Sequence, residues 1–259
     1  MIAQVNTPRQ RQRFLNACRG KLCCGATLPL ALQLLGKAQP GRFFAGPTLA
    51  LDIGGRTAWA AGHANPEELA SFLNFCGCRA VILDEAECPP PVGWQKTCDH
   101  TIFGLAAGEQ LPLPAQTEAQ KALWDSLTFV EDPASGPVAE NLFPDRPARR
   151  DDFYSELCTK RSRGKALVWT LEQGGNIVCT VGAYALCNGQ AYMACGQTAE
   201  ALRGQRVGGR FIVQMANALS AQGDQPVFLC SPERVHFYTQ LGFHPLGTLA
   251  RYESPIGKD

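Results

Sequence analysis

The chain has 259 residues, of which 45% are hydrophobic and 18% charged, a composition that excludes an intrinsically disordered chain, a collagen-like repeat and a coiled coil. This length suits one large domain or two modest ones, either with enough chain to bury a hydrophobic core. The net charge of +1 gives no global electrostatic reason to bind nucleic acid or a membrane surface.

Signals for alternating strands and helices run through the first half of the chain. Asn65-Pro66 is a typical cap and first-turn pair, and the apolar residues after it are spaced for one core-facing side of a helix that ends at Gly77. The LPLP sequence at 111–114 breaks regular structure, so residues 106–120 are the best candidate for a linker. The predicted elements before this linker are a mainly helical stretch at 10–36, strands at 48–53 and 57–62, a helix from Pro66, and a buried strand at 80–85.

Hairpin turns mark the second half. Gly174-Gly175-Asn176 and Asn188-Gly189 predict tight turns between three successive antiparallel strands, because glycine and asparagine tolerate positive φ. Ser231 followed by Pro232 is a typical start for a last short helix. The predicted elements are helices near 118–128 and at 150–162, strands at 166–173, 177–187 and 191–198, a helix that Gly223 ends, and a strand at 226–230.

A strand-loop-helix-strand order occurs twice, at 57–84 and at 191–230. The first copy has only the sequence HANP between its strand and its helix, whereas the second has a longer loop rich in glycine and arginine. We therefore expect a ligand-binding loop in the second copy alone.

The twelve cysteines are the unusual feature of the composition. The N-terminal sequence lacks the apolar core of a signal peptide, and no window approaches the roughly 18 apolar residues of a membrane span. A cytoplasmic location with reduced thiols packed in the core is expected. The close pairs Cys23-Cys24 and Cys76-x-Cys78 are not CxxC knuckles and the histidines are scattered, so no metal site is predicted.

A glycine- and arginine-rich loop, RGQRVGG at Arg203–Gly209, lies between a predicted strand and a predicted helix. Small residues let backbone N–H groups point together at an anion, and the helix N-terminus adds positive potential, so a phosphate or pyrophosphate suits this loop. The loop fits neither GxxxxGK[ST] nor GxGxxG, which disfavours a nucleotide triphosphatase and a Rossmann dehydrogenase. Taken alone, it is equally consistent with a helix-capping loop that carries solvated arginines.

A second motif, FYTQLGF at Phe237–Phe243, follows on the last helix and its exit turn. The antiparallel strands, RGQRVGG and FYTQLGF together resemble the GNAT superfamily of acetyl-CoA-dependent N-acetyltransferases, whose patterns are R/Q-x-x-G-x-G/A and FYxxLGF. The resemblance covers about residues 150–253. It implies an α/β (α+β) fold with a mixed, mostly antiparallel twisted sheet flanked by helices for a catalytic domain at 116–259. Residues 1–115 would form a smaller, degenerate GNAT-like lobe.

The resemblance also implies which residues bind acetyl-CoA. Backbone amides of Gln205–Gly209 would hold the pyrophosphate, and the strand end at Cys195–Thr198 would pair with the pantetheine arm and polarise the thioester carbonyl. Arg206 replaces the usual first loop glycine, and a non-glycine residue fits there if its φ is negative. The implied cofactor-binding residues are Cys195, Gly196, Gln197, Thr198, Arg203, Gly204, Gln205, Arg206, Val207, Gly208, Gly209 and Arg210.

Tyr238 matches the family's general acid, which would protonate the departing coenzyme A thiolate. The alternative is packing, since Val235, Tyr238 and Leu241 form a three-spaced stripe. The central strand at 191–198 carries no carboxylate that could serve as the general base. The open candidates are Glu172, Glu200, His236, a water chain, or capture of an already neutral amine.

Two further groups have competing interpretations. Cys195 and Cys230 are either thiol nucleophiles or packing residues, and nothing in the local sequence supplies a base that would favour the first role. Arg146, Arg149 and Arg150 are either a solvated cluster or a site for an anionic group of the substrate.

The expected function is transfer of an acetyl group from acetyl-CoA to an amine by direct attack, with no metal. The acceptor is an unidentified small molecule or peptide. No nucleic-acid or membrane partner is expected, and the oligomeric state stays open, a homodimer included. The alternatives are a coenzyme A-binding regulatory or structural protein without turnover, and an interaction protein without the cofactor.

Overall fold

A computed structural model describes residues 1–255. Within this range the backbone forms eight α-helices and twelve β-strands. The helices are α1 (Pro8–Cys18), α2 (Cys24–Leu35), α3 (Pro66–Phe75), α4 (Glu118–Asp125), α5 (Ser135–Leu142), α6 (Pro147–Arg161), α7 (Val207–Ala221) and α8 (Val235–Gln240). The strands are β1 (Ala3–Gln4), β2 (Phe43–Ala45), β3 (Thr48–Gly54), β4 (Thr57–His63), β5 (Ala80–Leu83), β6 (Gln95–Gly104), β7 (Thr128–Val130), β8 (Leu167–Gln173), β9 (Asn176–Cys187), β10 (Gln190–Thr198), β11 (Gln225–Cys230) and β12 (His244–Glu253).

Two compact units account for the described chain. Of the described residues, the first unit comprises Met1–Phe103, Leu229–His236 and 245–255, and the second comprises Gly104–Phe228 and Phe237–His244. The first unit is therefore assembled from both ends of the chain. The domain boundary between residues 115 and 116 stays a prediction.

The first unit has a sheet in the order β1-β2-β3-β4-β5-β12-β6. Strands β4 and β5 are parallel, and the intervening α3 follows the predicted strand-helix-strand pattern. Strand β12, from the C-terminal end of the chain, pairs antiparallel with β5, so that Ala250 lies opposite Leu83 and Glu253 opposite Ala80. The last strand thus completes the sheet that the first hundred residues begin.

Helix α3 confirms the signals in its sequence. The Asn65 side-chain oxygen accepts hydrogen bonds from the backbone N–H groups of Glu67 and Glu68, each at 3.0 Å. This cap satisfies two of the N–H groups that a helix N-terminus leaves free. Leu69 and Leu73 are fully buried, which identifies the predicted apolar side of the helix as its core-facing side.

The second unit has a sheet in the order β11-β10-β9-β8-β7. Strands β8, β9 and β10 pair antiparallel through the two predicted hairpins, and the turn residues Gly174, Gly175, Asn188 and Gly189 all have positive φ. Strand β11 pairs parallel with β10. The mixed, mostly antiparallel sheet flanked by helices is the predicted fold class, which is confirmed.

Each face of this sheet carries its own hydrophobic layer. Phe211 of α7 meets Trp124, Phe129 and Trp169 in edge-to-face and tilted contacts, with ring centroids 6.0 to 6.2 Å apart. A separate cluster, formed by Val138, Leu157, Val168 and Tyr184, includes residues from α5 and α6. The sheet of the second unit is therefore covered by helices on both sides.

All twelve cysteines are free, seven of them buried and five half-buried. Burial raises the pKa of Cys24 to about 12 and that of Cys88 and Cys179 to about 11. Since the thiolate is the reactive form, these side chains behave as packing groups rather than as nucleophiles near neutral pH.

This burial predicts a two-phase reaction with an aromatic disulfide reagent. We expect all twelve thiols to react at once in guanidinium chloride without reductant, because every cysteine is free. In the native protein at neutral pH the seven buried thiols should react only as the chain opens, orders of magnitude more slowly. Fewer than twelve thiols in denaturant, or equal rates in both states, would contradict the expectation.

No helix among residues 1–255 combines the length and apolar character needed to cross a bilayer. The same residues contain no grouping of three histidine, cysteine, aspartate or glutamate side chains placed to hold a metal ion.

Candidate functional site

Strand β10 separates from β11 partway along its length. The described parallel pairing runs from Gln190 opposite Gln225 to Tyr192 opposite Val227, and β10 then continues to Thr198. Residues 193–198 therefore present backbone N–H and C=O groups at an open strand edge. An extended ligand can add to such an edge through main-chain hydrogen bonds.

A β-bulge lies within this open stretch. The register between β10 and β9 shifts between Ala194 and Gln197, which leaves Cys195 and Gly196 without opposite residues. Cys195 takes a φ of +51°, and Gly196 and Gln197 are exposed. Bulges bend a strand and redirect its backbone groups, and they are frequent next to active sites.

A cavity of about 840 Å³ lies at the N-terminus of α7. This volume falls in the range of small-molecule sites. The α8 residues Phe237 and Gln240, together with Leu241 and Gly242, form one wall, and residues 112–115 of the linker form another. Seven of the predicted cofactor-binding residues line it, namely Thr198, Arg203, Gly204, Arg206, Val207, Gly208 and Gly209. The other five, Cys195, Gly196, Gln197, Gln205 and Arg210, are not part of its lining.

The first turn of α7 offers free hydrogen-bond donors to this cavity. Within residues 1–255, the amide N–H groups of Val207, Gly208 and Gly209 have no acceptor, and Arg206 caps the helix without a side-chain bond. Because α7 is 15 residues long, its dipole adds partial positive charge at these amides. The arrangement suits an anion such as a phosphate.

Close packing explains why glycines occupy the first turn of α7. A Cβ atom on Gly208 would lie 2.4 Å from Oγ1 of Thr198, and one on Gly209 would lie 3.1 Å from a methyl carbon of Leu241. A side chain at either position would push α7 away from the end of β10 or from the α8 region. The absence of a side chain at Gly208 and Gly209 therefore leaves the free amides accessible to the cavity and lets α7 pack close to β10 and α8.

Arg206 takes a left-handed backbone conformation. Its φ is +62° and its ψ is 5°, so the condition of a negative φ for a non-glycine residue at this position is not met. The Nη1 atom donates a hydrogen bond of 2.6 Å to the carbonyl oxygen of Ala115. The turn into α7 needs a left-handed residue, a conformation that glycine adopts without steric cost, and the bond to the linker offsets part of the cost for arginine.

Two substitutions separate these effects. Arg206→Gly and Arg206→Ala both remove the bond to Ala115, but only alanine retains the left-handed steric penalty. We expect the alanine variant to be less stable than the glycine variant by about 1 kcal/mol in urea unfolding. Equal stabilities would contradict the left-handed assignment at this position.

The two remaining predicted arginines differ in their surroundings. Arg203 is exposed and lines the cavity, where it adds positive potential. Arg210 is half-buried, and its guanidinium lies 5.1 Å from the centre of the Trp124 ring. Of the two, only Arg203 lies where it contributes directly to the cavity.

Tyr238 lies on α8 beside the cavity, although its side chain is not part of the lining. Its ring packs against Phe228 at a centroid distance of 4.6 Å and against Phe237 at 5.0 Å. Gly242, with a φ of +92°, ends the helix, and Phe243 is buried, as their positions in the motif predict. The packing of Tyr238 is thus observed, and its catalytic role stays a prediction.

None of the candidate bases lines the cavity. Glu172 lies on β8 opposite Thr128, Glu200 is exposed in a short 3-10 turn, and His236 is exposed in the first unit. The two cysteines are poor nucleophiles, because burial raises the pKa of both Cys195 and Cys230.

The linker wall is the part of the site that sequence reasoning missed. Residues 112–115 were expected only to connect two domains, but they line the cavity, and Arg206 binds Ala115. The LPLP sequence was the available signal, since prolines favour a stiff extended segment that can lie along a groove.

Comparison with known proteins gives structural matches only. No protein-family model and no curated protein sequence matches the chain. A tandem GNAT protein from the clavulanic acid biosynthesis pathway is 12% identical, with a TM-score of 0.63 over 100% of this chain and 99% of its own. A GCN5-related N-acetyltransferase from Sphaerobacter thermophilus is 12% identical, with a TM-score of 0.63 over 97% and 94%. Another from Kribbella flavida is 16% identical, with a TM-score of 0.59 over 90% and 96%.

These similarities are to solved structures of GNAT acetyltransferases, and they extend over nearly the whole length of both chains. At such low identity they establish architecture rather than activity. The resemblance inferred from RGQRVGG and FYTQLGF is confirmed at the level of architecture: this chain has the GNAT fold.

Proposed function

We propose that the chain is an acetyl-CoA-dependent N-acetyltransferase that acts on an amine. The observation that carries the proposal is the set of three free amides at the start of α7, which face a cavity of about 840 Å³. The open edge of β10 provides a place for an extended arm, and the GNAT fold relates both features to acyl transfer.

Binding is the first task of the site. The amides of Val207–Gly209 bind the pyrophosphate of acetyl-CoA, and Arg203 adds positive charge beside it. The open edge of β10, at residues 193–198, orients the pantetheine arm through main-chain hydrogen bonds. These contacts place the thioester near the bulge at Cys195 and Gly196.

Chemistry follows from this placement. Acetyl-CoA supplies an activated acetyl group as its thioester. A backbone N–H at the bulge stabilises the negative charge that develops on the carbonyl oxygen when the amine nitrogen bonds to the carbonyl carbon. As the carbon–sulfur bond breaks, the Tyr238 hydroxyl donates a proton to the sulfur and regains one from solvent. The proton lost by the amine passes to water.

The first unit fits a related lobe that does not bind the cofactor. Two residues separate His63 of β4 from Pro66 of α3, whereas eight separate Thr198 of β10 from Val207 of α7. The Asn65 cap satisfies the first amides of α3, and Glu67 and Glu68 place negative charge there. We propose a tandem organisation in which the second unit binds acetyl-CoA and the first unit forms the degenerate lobe.

One observation favours a second candidate, a coenzyme A-binding protein without turnover. The strands β9, β10 and β11 carry no carboxylate and no histidine, so none of their side chains can remove the proton of an amine at the bulge. In this case the site would bind the cofactor but release no thiol.

Calorimetry and thiol release test both candidates. We expect heat on titration with acetyl-CoA and much weaker binding of S-acetyl-pantetheine, which lacks the pyrophosphate. Free coenzyme A thiol should then appear when a panel of polyamines, aminoglycosides, amino acids and peptides is added. Binding without thiol release would support the second candidate, and no binding of acetyl-CoA would overturn both.

A further inference from the structure

A buried hydroxyl without a partner lies close to the bulge. Tyr184 of β9 is 6% exposed, and its hydroxyl forms no hydrogen bond with any of residues 1–255. The hydroxyl end of the ring covers Gly182, since a Cβ atom on that glycine would lie 2.7 Å from Oη. Gly182 is opposite Ala194, the residue before the bulge. An unpaired buried hydroxyl is costly, so its retention beside the reacting position points to a ligand.

A row of aromatic rings connects this hydroxyl to the surface. Tyr184 packs on Phe153 with ring centroids 5.4 Å apart, and Phe153 packs on Phe143 at 5.2 Å. The guanidinium of Arg149 lies over the Phe143 ring, 5.0 Å from its centre. The row therefore has a buried polar group at one end, an exposed cation at the other and apolar surface between them.

Arg149 differs from the other basic residues of α6. Arg150 contacts Asp151, Lys160 contacts Glu156, and Arg161 contacts Asp132. Within the described residues, Arg149 forms no ion pair. A free guanidinium that is pre-oriented on an aromatic ring is suited to bind a carboxylate through two parallel hydrogen bonds.

The charge of Arg149 also extends to the bulge. Burial raises the pKa of the Cys195 thiol, and Arg149 and Lys160 oppose that rise. Since Glu156 neutralises Lys160, the remaining positive potential comes from Arg149. Ala194 and Cys195 pack against the cluster that contains Tyr184, so the aromatic row and the bulge share one face of the sheet.

We infer that the acceptor is an amine with an apolar or aromatic body and a free carboxylate, and that Arg149 binds the carboxylate while Tyr184 positions the amine. This inference rests on the proposed function. An N–H of the amine donates to the Tyr184 oxygen, which leaves the nitrogen lone pair directed at the thioester. The phenol stays protonated, because burial raises its pKa.

Matched acid and amide probes test the assignment of Arg149. We expect the wild-type protein to release thiol with L-phenylalanine or glycyl-L-phenylalanine at a kcat/KM about tenfold above that of the corresponding amide. Arg149→Gln should lower kcat/KM for the acid to the level of the amide and leave the amide unchanged. Arg146→Gln, at an exposed neighbouring arginine, should preserve the preference for the acid.

The role of the Tyr184 hydroxyl in positioning the amine is tested by a substitution that leaves the packing of the ring unchanged. Tyr184→Phe retains the ring, so the melting temperature should stay constant or rise when the unpaired hydroxyl is removed. We expect kcat/KM for both acid and amide to fall about tenfold. Unchanged kcat/KM would overturn the role of Tyr184.

The failures of the two proposals are distinguishable. Equal rates with acid and amide, an equal loss for both in Arg149→Gln, or thiol release with polyamines alone would overturn the carboxylate assignment and leave acetyl transfer intact. Failure of the wild-type protein to bind acetyl-CoA would instead overturn the proposed function, and with it this inference.

Discussion

Replacing Tyr238 by phenylalanine is expected to lower kcat by at least about 100-fold with any accepted amine, because the substitution removes the proton donor for the departing thiolate. The ring contact with Phe228 is retained, since phenylalanine has the same aromatic ring. Affinity for acetyl-CoA should therefore stay within about twofold, because no phosphate contact of the proposed site changes. Steady-state thiol release together with calorimetry measures both quantities.

Tyr154→Phe is the matched control for this experiment. Tyr154 lies on α6 and is 46% exposed, so the same loss of a hydroxyl should leave kcat unchanged. If Tyr238→Phe retained full kcat, Tyr238 would be a packing residue and the thiolate would leave without its help. The alternative suggested by the stripe of Val235, Tyr238 and Leu241 would then be correct.

Gly208→Ala is expected to weaken acetyl-CoA binding by about 100-fold, because it displaces amides whose hydrogen bonds to a charged phosphate contribute about 1.5–3 kcal/mol each. The new methyl group would lie 2.4 Å from Oγ1 of Thr198, so the first turn of α7 must move away from the end of β10. The free amides would move with it. Overpacking of this kind should also destabilise the fold by about 1–3 kcal/mol.

Two variants check that the clash is the cause. Gly41→Ala places the same methyl group where no heavy atom lies within 4 Å, so neither binding nor stability should change appreciably. Adding Thr198→Ala to Gly208→Ala removes the clashing oxygen and should restore most of the affinity. A double variant as weak as the single one would show that the effect does not pass through Thr198.

The parts of the fold predicted from sequence are those with local signals. The hairpins at Gly174-Gly175 and Asn188-Gly189 depend on residues that accept positive φ, and the start of α3 depends on the Asn65 side chain. In each case a few neighbouring residues determine the backbone conformation. The order of strand, loop, helix and parallel strand around α7 follows from the same kind of signal.

The elements missed from sequence lack such signals. Strand β6 at Gln95–Gly104 follows several prolines, and its first residues are mostly exposed and polar, so no apolar alternation identifies it. Helix α5 contains Gly136 and Pro137 in its first turn, and neither residue is typical of a helix interior, although proline is tolerated at a helix start. Strand β12 depends on β5, more than 160 positions earlier in the chain.

The candidate site likewise contains features with a local sequence signal and features without one. The RGQRVGG loop was recognisable from its residue types, and Gly208 and Gly209 lie at the helix start as expected. The left-handed Arg206 is accompanied by a bond to Ala115, 91 positions away, and no local pattern reveals that bond. Tyr184 is one aromatic residue in an apolar strand, and its missing partner is visible only in three dimensions.

The pairing of β12 with β5 has a consequence for synthesis of the chain. The N-terminal unit lacks a central strand of its sheet until residues 245–253 leave the ribosome, so it cannot finish folding while the rest of the chain is being made. Until then β5 has unpaired backbone groups at its edge and carries the apolar side chains of Val81 and Leu83. An edge strand of this kind is prone to pair with other chains. A truncation that removes residues 245–253 would therefore prevent the unit that was synthesised first from completing its sheet.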